Sequence, residues 1–232
     1  MKILALAATT AAAALLANSA SAAVYISFDG STSVFTQAGD GVFTFEANCG
    51  VVNCGGFEAV TVDGSAPPSF PGLLHSDTVT VNTADSGAAE LTIWVTRTDL
   101  TNLSDAFFSS FTSNNQGGPV NVQLDTYISA SNELFAGTNL ASFNHNAIGA
   151  ASGNFNSVFN TNPNGTYSVT ERYVIRAAAS DFERSASPTI TLSGVPGAAV
   201  PEPGTWALMI LGFGGAGAML RNRRQRIGAS AA

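Results

Sequence analysis

Charged residues are scarce in this sequence, and lysine is almost absent. Asp, Glu, Lys and Arg make up 11% of the 232 residues, against roughly a quarter in an average soluble protein. The only lysine is Lys2, and four of the eight arginines lie in the last dozen residues. Residues 23–203 therefore hold four arginines against sixteen acids, a formal charge of −12. Such a surface repels phosphate backbones, so the composition argues against a nucleic-acid partner.

Histidine and cysteine are equally rare, which restricts metal chemistry. A structural zinc site needs four thiolate or imidazole ligands, and the two histidines, His75 and His145, lie far from the cysteines in sequence. We therefore predict no metal and no cofactor. Cys49 and Cys54, in CGVVNC, instead predict a disulfide that closes a tight connection between neighbouring strands. The chain-entropy estimate for so small a loop is about 2 kcal/mol.

Catalytic motifs are also missing. No G-x-S-x-G nucleophile elbow occurs, and residues 84–88 (ADSGA), downstream of His75, only superficially resemble a serine-protease loop. A glycosidase needs a pair of carboxylates across the scissile bond. The pairs that can be named are Asp99 with Asp105 and Glu171 with Asp181, and solvated surface acids are the simpler interpretation. We expect a protein that is not an enzyme.

The remaining polar features have structural interpretations. Glu171 and Arg172 predict a cross-strand or surface ion pair. Asp-Gly pairs in residues 28–31, 38–41 and 62–65 predict tight turns. Calcium binding at these acidic turns is an open alternative, although no D-x-D-x-D-G loop is present.

The N-terminus has the composition of an export signal. Lys2 supplies a positive start, and residues 3–17 (ILALAATTAAAALLA) are uncharged and apolar. Ala20 and Ala22 then place small residues at the −3 and −1 positions of a cleavage site. We predict a signal peptide over residues 1–22 and a mature chain that folds outside the cytoplasm.

A second uncharged run lies near the C-terminus. Residues 204–220 carry no charge, and at 1.5 Å per residue such a helix spans about 25 Å, short of the roughly 30 Å of a typical hydrocarbon core. We predict a single transmembrane helix here, preceded by a linker over residues 195–203. Residues 221–232 are then a basic tail on the cytoplasmic side. Its stop-transfer residues are Arg221, Arg223, Arg224 and Arg226.

A proline-containing motif stands in front of this apolar run. Pro201, Glu202 and Pro203 are followed by Trp206 and Ala207. With the apolar segment and the arginine cluster in this order, the C-terminus resembles the PEP-CTERM sorting tail in its PEPxxWA form. The resemblance is confined to the C-terminal tail and leaves the central domain unassigned.

The resemblance implies a route for the protein. The tail of PEP-CTERM proteins is recognised by exosortase, an integral-membrane enzyme similar to cysteine transpeptidases, which is thought to cut near the motif. Pro201, Glu202 and Pro203 are then substrate residues, and the arginines hold the tail in the inner membrane until processing. The resemblance implies delivery to the envelope surface or extracellular matrix of a Gram-negative bacterium. Exosortase is the implied processing partner, and exopolysaccharide is a candidate partner of the delivered protein.

Residues 23–194 show the alternation of β-strands. Runs rich in Val, Ile, Thr and aromatic residues alternate apolar with polar positions, as half-buried strands do, and Gly, Asn and Pro separate them. The runs are 24–28, 41–47, 57–62, 78–82, 89–97, 120–129, 166–176 and 188–193. We predict an all-β passenger domain with a jelly-roll-like antiparallel β-sandwich.

The middle of this domain has a weaker pattern. Residues 103–111 (LSDAFFSSF) are the best candidate for one short helix. Residues 102–165 are rich in Asn, Ser, Thr and Gly, and we expect mainly long polar loops. The alternative is a polar glycan-binding face. Its candidate aromatic platforms are Phe135, Phe143, Phe155, Phe159 and Tyr167.

Three functional hypotheses remain open. The leading one is an exported, non-enzymatic surface or matrix protein associated with exopolysaccharide and sorted through its tail. The alternative is a secreted polysaccharide-acting hydrolase, or a carbohydrate-binding module, on the same tail. An ice-binding module is the third, for which residues 78–83 (TVTVNT) supply one Thr-x-Thr strand.

Overall fold

The structure is a computed structural model that describes residues 22–68, 72–83, 87–101, 105–159 and 165–195, with residues 211 and 213. Residues 1–195 form one compact unit and residues 196–232 a second. Apart from residues 211 and 213, the predicted motif, helix and arginine cluster of the tail lie outside the described residues, as does residue Ala20 of the predicted signal peptide. The described residues contain no helix with the length and apolar character that a membrane crossing requires.

Thirteen antiparallel strands in the described part of the chain form two sheets. Sheet A has the strand order β2-β1-β6-β11-β8-β9, and sheet B has the order β10-β7-β12-β5-β4-β3, with β13 pairing to both β5 and β7. The strands are β1 (Ala23–Ser27), β2 (Ser33–Ala38), β3 (Gly41–Ala47), β4 (Phe57–Ala66), β5 (Gly72–Thr83), β6 (Ala89–Leu100), β7 (Ala106–Gln116), β8 (Asn121–Ser129), β9 (Thr138–His145), β10 (Gly149–Val158), β11 (Tyr167–Ala177), β12 (Ser185–Ala186) and β13 (Thr189–Val195).

The connections between the sheets confirm the predicted jelly-roll-like sandwich. From β5 to β8 the chain changes sheet at every strand, and it does so again from β9 to β10 and from β10 to β11. Each strand therefore has one face toward the opposite sheet and one face outward. The packed layer between the sheets is the hydrophobic core.

The alternation in the sequence explains which faces pack together. In β6 the odd-numbered residues Leu91, Ile93 and Val95 are buried, while Glu90 is exposed and the intervening residue 92 is partly exposed. Burying one such aliphatic side chain contributes about 1.5–3 kcal/mol. A slip of one residue would turn this whole set outward, so the pattern fixes the strand register.

The disulfide between Cys49 and Cys54 is confirmed. It closes the connection between β3 and β4, which are paired neighbours in sheet B. Gly55 follows with a φ of +64°, and its carbonyl accepts a hydrogen bond from the N–H of Glu90 at 2.8 Å. This hydrogen bond holds the disulfide loop, residues 48–56, against the beginning of β6.

Two predictions for the middle of the domain are wrong. The expected helix over residues 103–111 is absent, because residues 106–111 belong to strand β7. The expected polar loops over residues 102–165 instead contain three further strands, β7, β9 and β10, besides the strand predicted over residues 120–129, which is β8. These strands are held by backbone pairing with neighbouring strands of the same sheet, which the few apolar residues of this stretch do not indicate.

Two further predictions need correction. Residues 62–65 are not a turn, because they lie inside β4. A Cβ on Gly64 would come within 2.5 Å of the His75 carbonyl oxygen and closer still to the Phe43 ring, so glycine is required there by close packing. Glu171 is not part of a surface ion pair: it is fully buried between the sheets, where the Ser76 hydroxyl contacts its carboxylate.

Candidate functional site

The outward face of sheet A carries a cluster of aromatic and charged side chains. Trp94 on β6 lies opposite Arg172 on β11, and Arg172 lies opposite Asp125 on β8. Tyr127, two residues further along β8, projects from the same face. We call Trp94, Arg172, Asp125 and Tyr127 the Trp94 cluster. The aromatic rings and the arginine remain partly exposed to solvent.

Arg172 lies against both aromatic rings. Its guanidinium carbon is 5.2 Å from the centroid of the Trp94 ring and 5.3 Å from that of Tyr127. The two ring centroids are 6.0 Å apart. The two distances from the guanidinium carbon to the ring centroids are within the range of attractive cation–π contacts. The cluster is therefore a small, ordered surface of three planar groups.

The buried Asp125 carboxylate fixes the orientation of the Arg172 guanidinium. Its Oδ2 accepts hydrogen bonds from Arg172 Nε at 3.1 Å and Nη2 at 2.7 Å. The Asp125 side chain is 2% exposed, whereas that of Arg172 is 24% exposed. Ser142 donates to Asp125 Oδ1 at 2.6 Å, and Gln123 donates to Oδ2 at 3.1 Å. A buried carboxylate with these partners holds the guanidinium in one orientation while leaving its outer edge toward solvent.

Tyr127 keeps its proton at neutral pH. Burial raises the pKa of Tyr127, and the nearby Asp125 carboxylate raises it further. The cation of Arg172 and a hydrogen bond with Asn139 act in the opposite direction without reversing the shift. The phenol is therefore an uncharged hydrogen-bonding group beside the cationic arginine.

Two ordered loops border the Trp94 cluster. In the β1–β2 loop, the Asp29 carboxylate accepts hydrogen bonds from the N–H groups of Ser31 and Thr32, both at 2.7 Å, and these bonds lower the pKa of Asp29 well below its usual range. Gly30 in this loop has a φ of +73°, and a Cβ there would lie 3.0 Å from Trp94 Nε1. The loop therefore contacts the edge of the indole ring.

The β8–β9 loop closes one end of the outward face. The N–H of Phe135 donates to Thr96 Oγ1 at 3.2 Å, and Thr96 Oγ1 is 2.8 Å from Thr170 Oγ1. Ser168 donates to the carbonyl oxygen of Glu133 in the same loop. The β8–β9 loop thus covers the end of the outward face at Thr96 and Ser168. The open part of the face extends along the strands toward Glu90 and Arg176.

A depression lies at that open end. It has a volume of about 490 Å³ and is bordered by Glu90, Asn121, Asn146 and Arg176, together with small apolar residues. Arg176 Nε donates to Glu90 Oε1 at 2.8 Å. The volume is within the range of small-ligand sites.

The aromatic platforms predicted from the sequence are mostly core residues. Tyr167 is 2% exposed and Phe135 is 6% exposed, while Phe143 and Phe159 pack against the core. Phe155 is 39% exposed, but the edge of its ring contacts the buried Phe111. Most of the candidate platforms therefore stabilise the sandwich core and are not free for a glycan.

The acids considered for catalysis do not form the cluster. Asp99 pairs with Asn132, whose Nδ2 donates to Asp99 Oδ1 at 2.9 Å, and Asp105 is exposed. Glu171 is fully buried, whereas Asp181 is exposed. His75, on sheet B, has Nδ1 2.7 Å from Thr191 Oγ1.

The sequence contains a signal for the Trp94 cluster in the alternation of its strands. Trp94 and Tyr127 both lie in correctly predicted strands, at positions that point away from the core. Trp94, for example, stands between the buried Ile93 and Val95. An aromatic residue on the polar face of an alternating strand is not needed for the core. That position, rather than aromatic content alone, marks a surface platform.

The tail was identified by comparison with known families. Residues 199–224 match the family described as PEP-CTERM protein-sorting motif. The motif implies an exported protein with membrane-associated sorting by an exosortase-type enzyme. No curated protein matches the chain.

Solved structures resemble the sandwich only distantly. The carbohydrate-binding module TmCBM61, solved in complex with β-1,4-galactotriose, is 12% identical to this chain with a TM-score of 0.34. The alignment covers 74% of this chain and 88% of the TmCBM61 chain. A structure described as CBM4 is 13% identical with a TM-score of 0.29, over 66% and 86%. The CBM36-1 domain of a xylanase from the hindgut metagenome of Trinervitermes trinervoides is 11% identical with a TM-score of 0.28, over 67% and 100%. These similarities assign no function to this chain.

Proposed function

We propose that this exported PEP-CTERM protein is a non-enzymatic surface or matrix protein that binds polysaccharide through the Trp94 cluster. The observation that carries the proposal is the pair of partly exposed rings on the outward face of sheet A with an oriented arginine between them. After sorting, the protein remains at the envelope surface or in the exopolysaccharide matrix, where this face holds the glycan.

The chemistry of the cluster suits a sugar. Aromatic faces pack against the C–H surface of a sugar ring, and guanidinium, phenol and amide groups exchange hydrogen bonds with its hydroxyls. Arg172 has five N–H donors, and Asp125 engages only Nε and Nη2. Nη1 makes no hydrogen bond within the described part of the chain, so it is available to a ligand hydroxyl.

The spacing of acids on this face favours binding over hydrolysis. Glu90 and Asp125 are the acidic side chains that the strands place there, and each is engaged by an arginine. They are two strands and about four positions apart, which separates their Cα atoms by roughly 16 Å. Side chains extended toward each other would still leave the carboxyl groups roughly 10 Å apart, beyond the range of about 5–9.5 Å between glycosidase carboxyl groups. This separation supports a role without catalysis.

The test is retention on the producer's own exopolysaccharide. The full chain is purified in a detergent without a sugar headgroup, because alkyl glycosides would compete for the site, and is passed over immobilised polysaccharide. We expect retention of the native protein and a loss of affinity of at least about tenfold for Trp94→Ala. Circular dichroism checks that the variant is folded.

Phe182→Ala is the matched control, since Phe182 is 71% exposed and lies in the connection from β11 of sheet A to β12 of sheet B. Its retention should equal that of the native protein. Flow-through of the folded native protein, or equal loss in both variants, would refute the proposed function. Release of reducing ends that disappears in Asp125→Asn would establish the hydrolase alternative instead.

A further inference from the structure

The outward face of sheet A is longer than the Trp94 cluster and carries no excess of positive charge. From these two features we infer that it binds an uncharged glycan chain, which lies along the strands from the Trp94 cluster to the depression at Glu90 and Arg176. The inference rests on the proposed function and adds the substrate class and the extent of the site.

Arg172 and Arg176, on this face, are each paired with an acid. Arg172 is paired with Asp125, and Arg176 is paired with Glu90. The acid Asp29 lies in the β1–β2 loop beside Trp94, and its carboxylate is engaged by the N–H groups of its own loop. Neither arginine therefore carries an unbalanced positive charge that would select the carboxylates of a uronate or the sulfates of a sulfated polymer, and the Asp29 carboxylate repels them. The −12 charge of residues 23–203 further disfavours polyanions.

The length of the face requires more than one sugar ring. Trp94 and Glu90 are four residues apart on β6, and Arg172 and Arg176 are four apart on β11, so each pair spans about 13 Å at 3.3 Å per residue. Polar groups continue along this span: Gln123 on β8 pairs with Asn144 on β9, two residues along each strand from Asp125 and Ser142. A single hexose is shorter than the span, so only an oligosaccharide reaches both ends.

Asn121 extends the polar lining into the depression. Asn121 lies two residues before Gln123 on β8, on the same face of the sheet, and borders the depression. Its Nδ2 donates to Asn144 Oδ1 at 3.4 Å. The amides of Asn121 and Asn144 thus form a continuous edge that can donate to and accept from sugar hydroxyls. We assign this edge to the second sugar-binding position, the Trp94 cluster being the first.

The experiment separates the producer's exopolysaccharide by anion exchange into an uncharged and an acidic fraction. The full chain is titrated with each fraction at about 50 mM and about 500 mM NaCl, because screening of ion pairs changes strongly over this range. We expect binding to the uncharged fraction, with affinity changing less than about twofold with salt. Oligosaccharides of graded length, cut from the bound fraction, are then titrated.

Two variants divide the face. Trp94→Ala should weaken short and long oligosaccharides alike, whereas Asn121→Ala should weaken only the long ones, by about five- to tenfold. Asn154→Ala is the matched control, because Asn154 is exposed on β10 of sheet B, and it should change neither. Equal affinity for short and long oligosaccharides in the native protein would overturn the extended site.

The outcomes distinguish this inference from the proposed function. Salt-sensitive, Trp94-dependent binding of the acidic fraction alone would overturn the uncharged ligand and leave the proposed function standing. Absence of binding to either fraction, or binding that Trp94→Ala does not alter, would remove both.

Discussion

Tyr167 is a buried residue whose hydroxyl group lowers the stability of the folded protein. Its ring is 2% exposed, and its hydroxyl has no hydrogen-bond partner among the described residues. A buried hydroxyl without a partner costs about 1–3 kcal/mol. We therefore expect Tyr167→Phe to raise the free energy of unfolding by about 1 kcal/mol at neutral pH. Urea denaturation measures the change, and Tyr25→Phe, at a partly exposed tyrosine, should leave stability within about 0.5 kcal/mol.

The same residue predicts a dependence on alkaline pH. Burial raises the pKa of Tyr167 from 10.0 to about 12, although the charge of Arg97 acts against this shift. The folded state therefore holds its proton more tightly than the unfolded state, and stability falls as pH rises from about 10 to about 12. The native protein should lose stability more steeply than Tyr167→Phe over this window. Parallel curves for the two proteins would contradict the assignment.

At the scale of the element, the disulfide loop depends on a glycine more than on its cross-link. A Cβ on Gly55 would lie 1.7 Å from the Glu90 carbonyl oxygen, and the φ of +64° is itself unfavourable for other residues. Gly55→Ala should cost roughly 3–5 kcal/mol, because backbone must move on both sides. Reduction of the disulfide should cost only about 2 kcal/mol.

Gly87→Ala is the matched control for Gly55→Ala. Among the described residues, no atom beyond Gly87 and its two chain neighbours lies within 4 Å of the position that its Cβ would occupy. Thermal denaturation should show Gly87→Ala close to the native protein and Gly55→Ala far below it. Similar melting temperatures for the two variants would show that the loop does not dock against β6.

The strands that the sequence predicted correctly are those whose apolar residues alternate cleanly. The strands that were not predicted are β2, β7, β9, β10 and β12. Of these, β7 shows why periodicity fails in a short polar stretch. Phe107 and Phe111 are both fully buried, and a spacing of four places residues on one face in a helix and in a strand alike. The deciding residue is Ser109, which is buried between them and lies 2.8 Å from Thr126 Oγ1 of sheet A. Only the tertiary structure supplies that partner.

The Trp94 cluster was predictable in part. The strand pattern of β6 and β8 places Trp94 and Tyr127 on outward faces, but it does not show that β11 lies between these strands. The ion pair of Arg172 was expected, whereas its partner Asp125 is 47 residues away. Strand order in a jelly roll is set by non-local pairing, which a single sequence does not encode in any local pattern.

At the scale of the whole molecule, the sandwich and the sorting signal are separate along the chain. The last strand, β13, ends at Val195, and every strand pairing of the described residues lies before residue 196. A cut near Pro201 therefore removes no strand from either sheet. The processed protein should unfold with a free energy within about 0.5 kcal/mol of the full chain.

Intact-mass spectrometry of cell-bound and released fractions from the producer tests this separation together with the sorting route. We expect a released species that begins at Ala23 and ends within residues 200–205, because the motif that residues 199–224 match is a processing signal. Glu202→Ala should block the conversion and leave a cell-bound chain that retains Arg221 and the residues after it. Glu183→Ala, at an exposed acid just before β12, should be processed like the native protein. If the native protein keeps its arginine cluster in both fractions, the tail is a permanent anchor, and the glycan-binding face must act at the membrane rather than in the matrix.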